Sequence, residues 1–388
     1  MDRLIVAHIT PSLSTVVMGG VQTTLHELVS HSGGMAIDNH ILCFEADAYD
    51  ISRTSPFSTI HCLDAPGDAP PDALQTVTWL TATLAQICPD VVQTNAFWGD
   101  TLGRVAARRA GVKTVIALEN NMNLLETMRQ TKMKRRLANK TDCIVCVSKS
   151  VQDYVCETEG IERSRTHVIP NGIDTARYAR TLRPPQQPAS DPDLIFVGRL
   201  EPQKRPLVAL EAIRQVVSEF PNTRLVMVGD GGLRDKCETF IQACNLETNV
   251  TLAGFQPDPW HSVCQQKTLI CSSDFEGLPN TILEAMAIGV LCILPDIPPH
   301  LELVAPDQGA IFYSAGDADA LAKAIAKSGK LSAKARKEII NTAQRTVNER
   351  FSAGRMAQDY VALYRRLTET RNHGDVSPIA PQRARHDR

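Results

Sequence analysis

The feature that most constrains this chain is the alternation of short, unbroken apolar runs with stretches of helical periodicity. Leu4–Ile9, Asn39–Phe44, Val91–Thr94, Thr114–Leu118 and Cys143–Val147 form a first set of runs, separated by helical patterns at Val21–Ser30, Asp72–Ile87 and Thr101–Ala110. A strand with one wet face alternates apolar and polar residues. A run without alternation suits a strand buried on both faces, as in a parallel sheet covered by helices. Strand-then-helix repetition of this kind marks an α/β architecture. The pattern lapses in the stretch TLRPPQQPASDPD and then restarts with Leu194–Gly198, Arg224–Gly229, Val250–Leu252, Thr268–Cys271, Val290–Leu294 and Ala310–Tyr313. Helical patterns near 204–218, 232–244 and 279–288 separate these runs.

We therefore expect two Rossmann-like, doubly wound domains facing across a cleft, 1–175 and 193–370, joined by a linker at 176–192. The final helical stretch, about 331–370, belongs to the second domain and is free to return to the first. The polar tail 371–388 reads as disordered. The 388 residues suffice for two such cores without a disulfide or metal staple, and a net charge of −2 gives no reason to expect nucleic acid as a partner. The N-terminus lacks the basic start and long apolar stretch of a secretory signal, and no apolar run approaches the ~20 residues that span a bilayer. The expected location is cytoplasmic. Eleven cysteines scattered through apolar runs read as buried small hydrophobes. The pair Cys143 and Cys146 is three apart on an expected strand, so its thiols face opposite ways, and no metal site is assigned.

Chemistry concentrates at strand ends in the second half, where open α/β sheets bind ligands. The run from Asp274 to Gly289 follows one strand and carries Glu276, Gly277, Leu278, Pro279 and Glu284. Pro279 suits a first helical turn, Gly277 permits close backbone approach, and the amides of a helix start suit a diphosphate. The helix is apolar all round, so the carboxylate of Glu284 needs a partner, and a ribose diol would supply one. Arg199 leaves the strand that ends at Gly198, and Lys204 is expected to open the next helix. A cation there opposes the helix dipole, and a leaving diphosphate would explain both cations, although a solvated turn looks similar. The glycine turns Gly229-Asp230-Gly231-Gly232 and Gly19-Gly20 suit phosphate approach or simply a tight turn.

These residues together resemble the retaining glycosyltransferases of family 4, which have the GT-B fold. The resemblance rests on Gly19-Gly20-Val21, Val147-Ser148, Ile169-Pro170-Asn171-Gly172-Ile173-Asp174, Gly198-Arg199, Lys204, Gly229-Asp230-Gly231 and the pair Glu276 and Glu284, across residues 4–370. It implies a nucleotide-sugar donor, UDP-linked by family frequency, whose hexose or N-acetylhexosamine passes to a glycan or lipid-linked saccharide with no metal. Arg199 and Lys204 would hold the diphosphate, Glu276 the sugar and Glu284 the ribose. Gly277, Leu278 and Gly20 would offer amides. One departure matters: the family's histidine after the fifth strand is replaced by Asn120, in Glu119-Asn120-Asn121, and the preceding strand end reads Gln93-Thr94-Asn95. Asparagine can bond a sugar hydroxyl but cannot take a proton. In the family's front-face mechanism the leaving phosphate takes that proton, so transfer survives the change; Glu119 is a substitute to consider. The rival readings are an inactive partner subunit, a sugar-nucleotide epimerase of the same fold, and a two-domain solute-binding protein.

Asp191-Pro192-Asp193 and Asp317-Ala318-Asp319 are assigned to the linker and to a helix cap rather than to metal. Arg129, Lys132, Lys134, Arg135, Arg136 and Lys140 crowd one stretch without an acidic residue, interleaved with Leu124, Leu125, Met128, Met133 and Leu137. They read as a basic amphipathic helix, either docking on an anionic membrane or packed by its apolar side with its charges in water.

Overall fold

The unbroken apolar runs become the central strands of two parallel sheets. The computed structural model describes residues 3–13, 19–46, 58–63, 72–122, 127–179, 191–262, 268–305 and 308–372. Two compact units divide the chain: one takes the residues up to Gly172 and those from Ala353 onward, the other Ile173–Ser352.

The first unit contains β1 (Leu4–Leu13), α1 (Gly20–Ser32), β2 (Ile37–Ala46), β3 (Ser58–Cys62), α2 (Ala73–Ile87), β4 (Val91–Thr94), α3 (Phe97–Arg109), β5 (Thr114–Glu119), α4 (Met128–Leu137), β6 (Cys143–Cys146), α5 (Lys149–Glu159) and β7 (Thr166–Val168). Its seven strands lie in the order β3-β2-β1-β4-β5-β6-β7, all parallel. β1 is central, and its Val6, Ala7 and Ile9 are fully buried. Leu80 and Leu84 of α2 and Ala106 and Ala107 of α3 pack on Ile9, Val92 and Val115. Each such fully buried large apolar side chain contributes on the order of 1.5–3 kcal/mol.

The sequence pattern passes over β3 and β7, and the reason is their place at the two edges. An edge strand needs no continuous apolar character, and β3, with the sequence STIHC, is half-buried with one exposed residue.

The second unit runs α6 (Thr175–Ala179), β8 (Asp193–Val197), α7 (Pro206–Glu219), β9 (Arg224–Val228), α8 (Arg234–Ala243), β10 (Val250–Gly254), α9 (Pro259–Ser262), β11 (Thr268–Ile270), α10 (Asn280–Ala287), β12 (Leu291–Pro295), α11 (Pro298–Leu303), β13 (Ile311–Tyr313), α12 (Ala318–Gly329) and α13 (Ala333–Arg350). The strand order is β10-β9-β8-β11-β12-β13, again parallel throughout. Leu194, Phe196, Leu225, Met227, Ile270 and Ile293 form its core with Leu210 and Ile213 of α7 and Leu321 and Ile325 of α12. The expected continuous helix at 331–370 is broken at Phe351 and Ser352, and α14 (Ala353–Asn372) lies in the first unit, packed on α1. Both sheets reverse strand order once, at β1/β4 and at β8/β11. Such switch points are where open α/β sheets leave room for a ligand. The stretch expected to be linker contributes α6 to the second unit, while 180–190 and the tail from 373 lie outside the described residues.

Candidate functional site at the switch point of the second sheet

The carboxyl ends of β8 and β11 bring Lys204 and Glu276 together. After β8 the chain forms a single 3₁₀ turn, Pro202–Lys204, and Arg205 adopts a left-handed conformation before α7 begins at Pro206. Lys204 therefore closes a turn and does not open α7, which removes the expected clash with the helix dipole. Its ammonium bonds Oε1 of Glu276. The turn is fastened to the β11–α10 loop at several points. Ser272 Oγ donates to the carbonyls of Lys204 and Arg205 at 2.8 and 2.9 Å, the Asp274 amide donates to Gln203 O at 2.9 Å, and Gln203 Nε2 donates to Phe275 O at 2.9 Å.

Glu276 is 6% exposed. Burial alone would push its carboxyl up, but the Lys204 ammonium and hydrogen bonds from Lys204 and Ser273 outweigh that, and it is held below the usual carboxylate range. A buried, ionised carboxylate is costly unless paired, and Lys204 supplies the pairing; a charge pair of this kind at a sheet switch point marks a candidate ligand contact. Val197, Lys204, Cys271, Ser273, Glu276 and Thr281 line a small pocket there. Beneath lies His300, fully buried. Its Nδ1 contacts Pro295 O at 3.1 Å, so that nitrogen carries the proton, and its Nε2 has no hydrogen-bond partner among the described residues. Burial outweighs the pull of Glu276 and pushes the imidazole down to about 4.

Arg199 is exposed beyond β8, with no ion-pair partner found among the described residues. The glycine turn after β9 supports its loop from below. Gly229 has φ +135°, and a Cβ there would lie 2.0 Å from Gly198 O. The amide of Gly198 donates to Val228 O and that of Leu200 to Asp230 O. The contacts of Gly198 and Gly229 are thus with each other's turns, and these glycines let two strand ends approach. Gly277 and Leu278 precede α10, whose N-cap is Pro279 rather than its first helical residue.

Glu284 on α10 is only partly buried, and its Oε2 accepts the indole N–H of Trp260 at 2.7 Å. The partner it required is in part supplied by the protein itself. Burial raises its carboxyl above the usual range, against the pull of hydrogen bonds from Trp260 and Tyr178.

Outside the second unit the assigned residues are more dispersed. The Gly19 amide donates to Gln22 Oε1 at 3.1 Å in the cap of α1, so it is engaged within the protein, while Gly20 begins the helix. Asn120 follows β5, and its Oδ1 is buried with no donor among the described residues. Glu119 is not available as its substitute. It is 3% exposed and accepts Lys134 Nζ at 2.9 Å, with Glu159 3.5 Å from the same ammonium. Gln93 and Asn95 are also engaged: Tyr364 of α14 donates to Gln93 Oε1 at 2.5 Å, and Asn95 Nδ2 donates to Ile9 O at 3.2 Å.

Lys134 corrects the reading of the basic stretch. With Leu137, one turn along the same face of α4, it points inward and is 2% exposed, so it is no part of a charged surface. Met128 and Met133, expected to pack, are instead 77% and 42% exposed. They stand with the exposed Arg129, Lys132, Arg135 and Arg136 and the half-buried Lys140; Leu124 and Leu125 lie outside the described residues. Cys143 and Cys146 are core residues of β6, and burial pushes Cys143 up to about 12. Asp317 caps α12, accepting the Ala320 amide at 2.9 Å, and Asp191 accepts the Asn222 amide at 2.8 Å.

Gln203, Trp260, Tyr178 and His300 escape the sequence reading. Each sits in an unremarkable local pattern, and only the fold brings it to a carboxylate.

Two parallel α/β sheets, with a buried lysine–glutamate pair and a second glutamate at one switch point, define a protein of the GT-B class. The family model described as Glycosyltransferase Family 4 matches residues 18–177, and that described as Glycosyl transferases group 1 matches 180–346. The chain belongs to this glycosyltransferase family. It is 27% identical over 254 residues to the UDP-Gal:alpha-D-GlcNAc-diphosphoundecaprenol alpha-1,3-galactosyltransferase of Escherichia coli, covering 61% of this chain and 66% of that protein. It is 30% identical over 183 residues to the lipopolysaccharide 1,6-galactosyltransferase of E. coli K12, covering 45% and 49%. These matches thus span about half to two thirds of the curated relatives' lengths. The crystal structure of Anabaena Alr3699/HepE in complex with UDP and glucose superposes with a TM-score of 0.78 at 18% identity, covering 94% of this chain and all of that one, which shows the shared fold.

Proposed function

We propose that the chain transfers a hexose or N-acetylhexosamine, with retention, from a UDP-sugar to a glycan or lipid-linked saccharide. The observation that carries this reading is Glu276, buried yet ionised against Lys204, at the strand ends where α/β sheets take ligands. UDP-galactose and a diphosphoundecaprenol-linked acceptor are named for one relative, and lipopolysaccharide for another. In the proposed reaction the bond between sugar C1 and the diphosphate oxygen breaks while the acceptor oxygen bonds C1 from the same face. The acceptor's proton passes to the departing phosphate. Lys204 and Arg199 stabilise the charge that gathers on the diphosphate. Glu276 accepts hydrogen bonds from the donor sugar, Glu284 from the ribose, and Gly277 and Leu278 offer amides. Asn120, whose carbonyl oxygen has no donor among the described residues, is assigned to a sugar hydroxyl. The surface of α4 carrying Met128, Arg129, Lys132, Met133, Arg135 and Arg136 is assigned to an anionic membrane, the reading being of a cytoplasmic protein peripheral to the inner face of the membrane.

A second reading, an inactive partner subunit, draws on Asn120 and on Glu119 being tied to Lys134. One experiment separates the two. Wild type and Glu276→Ala are incubated with a panel of UDP-sugars and acceptor extract, and released UDP is measured. The transferase reading expects turnover by wild type and a loss of about 10²–10³-fold in the variant with its thermal midpoint preserved. Donor binding without turnover by wild type selects the inactive subunit. Sugar-nucleotide conversion without acceptor selects an epimerase.

A further inference from the structure

Glu284 is held by two aromatic side chains from opposite directions in the chain, and the run Asn171-Gly172-Ile173-Asp174 explains how one of them arrives. Asp174 Oδ1 accepts the amides of Ala176 and Arg177 at 3.0 and 3.1 Å, which starts α6. That short helix packs on α10 and carries Tyr178, which is 7% exposed and whose hydroxyl bonds the Glu284 carboxylate. From the other side, Asp258 Oδ1 accepts the Trp260 amide at 3.2 Å and starts α9, and the buried Trp260 indole N–H reaches Glu284 Oε2 at 2.7 Å. Arg177 and Asp258 approach to 3.8 Å and tie α6 to α9. Three separate helices are thus fastened around one carboxylate.

The geometry has a chemical consequence. A carboxylate offers about four acceptor positions. Two are used by the indole and the phenol, and the side chain is only partly buried. What is left is a pair of fixed acceptors, which matches a vicinal diol better than a lone hydroxyl. We infer that Trp260 and Tyr178 are positioning residues that fix the Glu284 carboxylate to accept both ribose hydroxyls of a ribonucleoside diphosphate, making this site selective for ribose over deoxyribose donors. The inference rests on the reading that Glu284 takes the donor ribose. It also gives Asp174 a role: by capping α6 it delivers Tyr178.

The test is calorimetric titration of UDP and of 2′,3′-dideoxy-UDP into the full-length wild type and into Trp260→Phe, Tyr178→Phe and Glu284→Gln. Wild type is expected to prefer UDP. Tyr178→Phe, which removes the donor and keeps the ring, and Trp260→Phe, which removes the donor and leaves a smaller aromatic ring, should each reduce that preference by about tenfold while leaving the affinity for the dideoxy nucleotide unchanged. Packing damage alone would weaken both nucleotides alike. If Glu284→Gln abolishes the preference but both aromatic variants retain it, the positioning inference fails and the ribose assignment stands. If wild type shows no preference, or does not bind UDP, the ribose assignment fails and the inference with it.

Discussion

At the scale of single residues, two buried carboxylate–lysine pairs of like make occupy different places, one at a candidate ligand site and one inside a core. Glu276 and Glu119 are both buried carboxylates paired with a lysine, yet their settings differ. Lys204 and Glu276 line a pocket at a switch point, whereas Glu119, Lys134 and Glu159 are sealed inside the first unit. The sequence shows all of these as ordinary charged residues. It singles out Glu276 because a glycine–leucine–proline turn follows it, and it misreads Lys134 because one-dimensional charge density does not say which face of a helix turns inward. Two buried histidines give a testable pH dependence. His8 and His300 are both pushed down to about 4 from 6.5 by burial. Each is neutral in the folded protein through that range, while the unfolded chain takes up a proton near 6.5. Acidification from 6.5 to 4 therefore favours unfolding, and each histidine contributes a loss of about 1.4 kcal/mol per pH unit. Thermal midpoints measured from pH 7 to 4 should fall, and should fall less steeply in His300→Gln; an identical slope in that variant would remove His300 from the account.

At the scale of elements, apolar runs locate the central strands because these are buried on both faces, and they fail at β3 and β7 because edge strands escape that requirement. The glycine turns were legible as turns, but their purpose was not. Gly229 has a backbone shape that L residues avoid, and it lies against the Gly198 carbonyl, so its absent side chain serves the packing of two strand ends. Gly229→Ala should lose more than about 3 kcal/mol of stability and displace the Arg199–Lys204 loop. A thermal midpoint within about 1 °C of wild type would show the turn to be more yielding than this geometry implies. For α4, the exposed methionines among exposed cations make the prediction specific. Replacing Arg129, Lys132 and Arg136 with Gln should lower binding to vesicles rich in anionic lipid by about 1 kcal/mol per charge, whereas Lys134→Gln should disturb folding instead. Unchanged vesicle binding in the triple variant would dispose of the membrane reading.

At the scale of the whole molecule, the alternation of strands and helices was enough to read two doubly wound units, because that alternation has few topological solutions. It was not enough to show where the chain returns. The helical pattern from 331 to 370 looks continuous in sequence, but the helix is interrupted at Phe351 and Ser352, and α14 supplies Tyr364 to Gln93 of the first unit. The residues proposed for the donor side stand out in the sequence because turn chemistry punctuates them; Trp260, Tyr178 and His300 do not, because long-range packing alone makes them neighbours of a carboxylate. The roles proposed for Lys204, Glu276 and Glu284 all depend on retaining transfer from a nucleotide sugar. It is tested most directly by supplying a UDP-α-hexose labelled with ¹³C at C1, together with acceptor extract, and reading the H1–H2 coupling of the labelled product by NMR. An α-linked product, formed by wild type and lost in Glu276→Ala, is the predicted result. A β-linked product, or labelled sugar that never leaves the nucleotide, would contradict it.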